Sequence, residues 1–85
     1  MNAGGVIHLE LHTRDREAAV GFLSALLGWR AEQVGPYTTL SVGDRVGGGI
    51  VECGLRPAQW VPYAVVEDVG AATRRAGRLG ASVLL

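Results

Sequence analysis

The chain reads as an α+β domain made from a repeated unit, β-α-β-β-β followed by β-α-β. Three observations predict this. Ile7-His8-Leu9-Glu10-Leu11-His12 alternates apolar and ionisable side chains with period two, the pattern of a strand with two unlike faces. Asp15-Arg16-Glu17 follows as a helix start, and Ala19, Phe22, Leu23, Leu26 and Leu27 recur at helical spacing behind it. Laying Asp68 over Asp15, a shift of 53, superposes Ala71-Ala72 on Ala18-Ala19 and puts strand before cap before helix in both places.

On the first strand, Ile7, Leu9 and Leu11 share one face and His8, Glu10 and His12 the other, with same-face neighbours roughly 7 Å apart. The apolar face needs a helix against it, and the ionisable face is either solvated or the floor of a site. Asp15 caps a helix over residues 16 to 27, stopped by Gly28. Trp29 to Val34, Tyr37 to Val42 and Val46 to Cys53 read as three short strands, parted by Gly35-Pro36 and Gly43-Asp44-Arg45, turns that predict an antiparallel meander. Leu55 to Gln59, containing Arg56-Pro57, reads as linker, and Tyr63 to Val66 as a strand. Asp68 then caps a helix with Val69, Ala72, Ala76 and Leu79 on one face and Gly80 at its end, and Ala81 to Leu85 begins a further strand. The single domain thus divides into a first unit over residues 1–54, a linker over 55–62 and a partial second unit over 63–85. Two strands of the second unit are missing, and Val83-Leu84-Leu85 leaves an apolar edge. Completion by a partner, or a native chain that continues, is the expectation.

Eighty-five residues make one domain that buries only about 60–65% of its unfolded surface. Eight basic and eight acidic residues balance to zero, so the electrostatic footprint of a nucleic-acid or anionic-membrane binder is missing, and neither partner is expected. No apolar run approaches the ~20 residues that span a bilayer, and Met1-Asn2-Ala3-Gly4-Gly5 lacks a basic start and an apolar core. A cytoplasmic location is the default. The single Cys53 excludes an internal disulfide and, on the face opposite Glu52, reads as a small core residue rather than a nucleophile.

Four segments carry a family likeness: His8-Leu9-Glu10-Leu11-His12-Thr13-Arg14-Asp15, Leu26-Leu27-Gly28-Trp29, Gly47-Gly48-Gly49-Ile50, and Pro62-Tyr63-Ala64-Val65-Val66-Glu67-Asp68-Val69. Together they resemble the vicinal oxygen chelate superfamily of glyoxalases, bleomycin-resistance proteins and extradiol dioxygenases, over essentially the whole chain. The resemblance implies paired βαβββ modules forming a curled mixed sheet, with helices outside and a ligand or metal inside the cup; the second module is incomplete in this chain. It also implies first-module metal ligands at His8 and Glu52. An imidazole nitrogen and a carboxylate suit Zn, Ni, Fe or Mn, which can polarise adjacent oxygens of a substrate. The shift of 53 carries His8 onto Val61, where a third ligand is expected, so a metal needs Glu10, His12 or a second chain to complete its shell.

The preferred functional reading is a small-molecule-binding protein of this type with no complete metal site and no certain cofactor. It acts as a homodimer and contacts its ligand through His12, Tyr37, Trp60 and Tyr63. One alternative is a divalent-metal-dependent lyase, isomerase or dioxygenase with His8 and Glu52 as ligands and Glu10 moving protons. Another is a dimerising half-module without catalysis. Plainer readings stand beside these. His8, Glu10 and His12 can be a solvated sheet face, Glu52 polar strand trim, Trp60 and Tyr63 the filling of a subunit contact, and Arg74, Arg75 and Arg78 the wet side of a helix. Gly47-Gly48-Gly49 lacks the Lys-Ser/Thr of a phosphate loop and instead permits a close backbone approach or a bulge.

Overall fold

Both predicted caps form. Asp15 Oδ1 accepts the Ala18 N–H at 3.0 Å and Asp68 Oδ1 the Ala71 N–H at 3.0 Å, so each aspartate satisfies a donor left free by the first helical turn. The computed structural model describes residues 4–54 and 57–83. In it, β1 spans Val6–Thr13, α1 Arg16–Leu27, β2 Ala31–Val34, β3 Tyr37–Leu40, β4 Gly47–Glu52, β5 Gln59–Ala64 and α2 Val69–Arg78. Helix α1 stops at Gly28, whose positive φ of 70° turns its N–H back to the Ser24 carbonyl at 2.9 Å.

The five strands form one curled, unclosed mixed sheet in the order β2-β3-β4-β1-β5. Strands β2, β3 and β4 are the expected antiparallel meander, while β1 runs parallel to β4 and antiparallel to β5. The protein is therefore α+β, as the repeated pattern predicts. Strand β5 starts at Gln59, four residues before the expected Tyr63, and so takes in part of the anticipated linker. Pro62 is tolerated there because β5 lies at the sheet edge, where a missing N–H breaks no second ladder. Beyond α2, residues 81–83 form no strand; the Ala81 N–H instead donates to the Ala76 carbonyl at 2.9 Å and finishes the helix end. Leu55, Arg56, Leu84 and Leu85, which carry the rest of the linker and terminal-strand expectations, lie outside the described residues.

The core sits between the sheet and α1. Leu11 of β1, Leu40 of β3, Ile50 of β4 and Leu23 of α1 are buried together, with Ala19, Val20, Trp29, Ala31 and Val42 packed around them. Each such leucine or isoleucine contributes about 1.5–3 kcal/mol on burial. Gly48 lets β3 approach closely: a Cβ at that position would stand 2.5 Å from the Leu40 carbonyl oxygen. The Thr38 hydroxyl is buried in the same layer without a hydrogen-bond partner among the described residues. Cover is incomplete, since Phe22 and Leu26 of α1 are 63% and 64% exposed, and a groove of about 380 Å³ runs between them, Leu9, Trp29 and Trp60. Among the described residues no helix is long and apolar enough to cross a membrane.

Candidate functional site

Strand alternation and register assemble the site on the sheet face away from α1. His8 pairs with Tyr63 on one side and Gly47 on the other, Glu10 with Val61 and Gly49, and His12 with Gln59 and Val51. Paired residues share a face, so the ionisable side of β1 is flanked by Tyr63 of β5 and by two glycines of β4. Those glycines leave a trough across β4, and Tyr37 of β3 reaches over it to β1. A Cβ on Gly49 would fall inside the Tyr37 phenol, and one on Gly47 would stand 2.9 Å from His8 Nδ1.

Glu10 is the centre of what gathers there, at 9% exposure. The Tyr37 hydroxyl donates to its Oε2 at 2.9 Å and the Tyr63 hydroxyl to its Oε1 at 2.8 Å. His12 Nε2 lies 2.9 Å from the same Oε1, and His8 Nε2 lies 3.2 Å from the Tyr37 oxygen and 3.5 Å from Oε2. The His8 and Tyr63 rings meet edge to face, centroids 5.1 Å apart. Burial pushes the Glu10 carboxyl upward, but the hydrogen bonds from His12, Tyr63 and Tyr37 outweigh it and hold the group below its ordinary value. Glu10 is therefore an ionised acceptor, and the imidazole nitrogen facing it carries the hydrogen. The same bonds keep both phenols protonated. Burial, then the bond to Glu10, pushes Tyr37 up to about 12, and the bond to Glu10, then burial, raises Tyr63.

Of the residues singled out from sequence, His8, Glu10, His12, Tyr37 and Tyr63 come together. Glu52 and Trp60 do not. Glu52 pairs with Thr13, five register positions from the His8–Gly47 pair and on the helix side of β4, where its Oε2 accepts the Arg16 N–H at 3.2 Å. It helps start α1 instead of facing His8. Trp60 pairs with Leu11 and so also lies on the helix face, edge-on to Trp29 with centroids 6.2 Å apart. The expected pairings of His8 with Glu52 and of Trp60 with Tyr63 are corrected accordingly. A metal held by His8 and Glu52 does not fit this arrangement, and among the described residues no group of three His, Cys, Asp or Glu side chains is placed to hold an ion. Sequence reasoning missed the part played by Gly47 and Gly49 in the floor. Their spacing of two within a strand was the available signal.

No family model matches the chain, and no curated protein matches it.

Proposed function

We propose that the chain is a small-molecule-binding protein of the glyoxalase and bleomycin-resistance type, which takes its ligand onto the polar floor without a metal. The observation that carries this reading is the Glu10 carboxylate, held at 9% exposure by two phenols and an imidazole on a curled sheet face. A merely wet sheet face needs no such cross-strand convergence, because water satisfies isolated polar groups there at little cost. The glycines of β4 supply room and the rings of Tyr63 and His8 supply flat contact surface, the mixture of apolar walls and a few fixed polar groups that small-molecule sites use. The likeness in the four segments named above supports the same assignment. The proposal includes a cytoplasmic setting, supported by zero net charge and a free Cys53, and a homodimer, supported by the open apolar groove on the helix face.

The test is a fragment screen by NMR on the isotope-labelled 85-residue chain, using small aromatic acids, phenols and amides, repeated with Tyr63→Ala and Trp60→Ala. Ligand-induced shifts confined to His8, Glu10, His12, Tyr37 and Tyr63, weakened at least tenfold by Tyr63→Ala and unaffected by Trp60→Ala, are the expected result. Shifts confined to Phe22, Leu26 and Trp60 would move the site to the other side of the sheet and overturn the reading.

A further inference from the structure

Five polar side chains meet around Glu10 on the floor, Glu10 itself included, and their hydrogen bonds leave unequal freedom. Both Glu10 oxygens already accept hydrogen bonds, so this carboxylate is a poor proton acceptor for a ligand. The Tyr37 and Tyr63 hydroxyls are committed donors to it. His8 turns Nε2 toward Tyr37 and holds Nδ1 over the backbone of β4, close enough that a Cβ on Gly47 would stand 2.9 Å away. His12 differs. Its Nε2 is bonded directly to the Glu10 carboxylate at 2.9 Å, whereas His8 Nε2 faces the Tyr37 hydroxyl and stands 3.5 Å from that carboxylate. Neither ring's Nδ1 has a hydrogen-bond partner among the described residues and the two side chains are 20% and 26% exposed, so the carboxylate bond, not access, singles out His12.

We propose that His12 is the proton acceptor of the floor and Glu10 its positioning residue, serving a ligand that presents a weakly acidic O–H or N–H to His12 Nδ1. An ionised carboxylate bonded to Nε2–H fixes the neutral ring in the tautomer whose lone pair is on Nδ1, and it stabilises the imidazolium once the proton arrives. In the step itself the ligand's O–H or N–H bond breaks, its electron pair stays on the ligand atom, and an Nδ1–H bond forms. The charge created on the ring lies 2.9 Å from Glu10 Oε1. Reversal returns the proton and leaves the site as it began. Glu10 is thereby reassigned, from a group that moves protons to one that orients the group that does. The inference rests on the cup reading and narrows it to ligands with an ionisable hydrogen.

Two measurements on the full chain test it. Long-range 1H–15N spectra of 15N-histidine protein at about pH 8, above the ordinary imidazole range, read the tautomers with no ligand present. His12 is expected as Nε2–H with a bare Nδ1, becoming a tautomer mixture in Glu10→Gln; a hydrogen on Nδ1 in the unaltered protein overturns the proposal, whether or not any variant folds. The second uses 4-nitrophenol below its own ionisation pH, with calorimetry for binding and absorbance for the phenolate. Bound probe is expected to ionise, and Glu10→Gln to cut its phenolate-to-phenol ratio about tenfold, one unit of effective pKa. His12→Gln, which also removes a ligand contact, is expected to weaken binding and to lose the phenolate band even at probe concentrations that saturate it. Probe that binds and stays neutral refutes the proton acceptor while the cup stands. Absence of any binding heat overturns the cup reading and this inference with it.

Discussion

Glu10 is buried because three donors reach it at once, and the cost of withdrawing any of them falls on the carboxylate. Stranding part of a buried acceptor costs about 1–3 kcal/mol. Tyr37→Phe is accordingly expected to lower unfolding stability by about that much in urea titrations, with little change in the slope against denaturant. The acid limb of stability has a definite sign. Because folding holds the Glu10 pKa below the ordinary carboxylate value, the stabilisation is complete above that ordinary value and is lost as pH falls through the lower folded one. Glu10→Gln should flatten this limb in thermal melts carried below about pH 5, where carboxylates begin to take up protons; an unchanged acid limb would refute the assignment. At this scale much was legible. Alternation alone places His8, Glu10 and His12 on one face. The reach of Tyr37 was not, since it depends on the strand order and on two side chains missing from the strand between.

Among the elements, β4 shows how three consecutive glycines divide their work by parity. Gly49 faces the floor, where a methyl group collides with the Tyr37 ring, and Gly48 faces the core, where it collides with the Leu40 backbone. Gly49→Ala should therefore cost about 1–3 kcal/mol, as overpacking does, and most of that should vanish in combination with Tyr37→Leu, a non-additivity that a double-mutant cycle measures directly. Gly48→Ala should gain no such rescue, because the obstacle is main chain. Parity also explains the two corrected pairings. Residues 60 and 63 within one strand necessarily point to opposite faces, and only the assignment of Trp60 to a linker allowed it a place beside Tyr63. In the same way the helix side of β4 receives Glu52, and an acidic residue beside the first turn of α1 is favourably placed there. The helices were the most legible elements, because capping aspartates and apolar spacing agree in both.

For the whole molecule, the order of strand, capping aspartate and helix in both halves was readable but the crossover was not. Nothing local in β1 or β4 says that they run side by side in parallel, a pairing made between strands separated by a helix and a hairpin. The apolar surface left over is substantial. Phe22, Leu26 and Trp60 border the open groove, and Val69 and Leu79 of α2 are 71% and 74% exposed. Light scattering is expected to give twice the chain mass, and Phe22→Asp to return it to one; a monomer in the unaltered protein would remove the homodimer. Calorimetric titration with Zn, Ni, Mn and Fe(II) under reducing conditions should show no stoichiometric site that both His8→Ala and Glu52→Ala abolish, because those residues lie on opposite faces. The placement of the aromatic residues has an optical consequence. Both tryptophans, Trp29 and Trp60, belong to the helix face, and both tyrosines, Tyr37 and Tyr63, to the floor. Selectively excited indole emission would therefore report directly on whatever covers the helix face, the surface on which the proposed subunit contact lies, and the tyrosine absorbance on whatever settles on the floor.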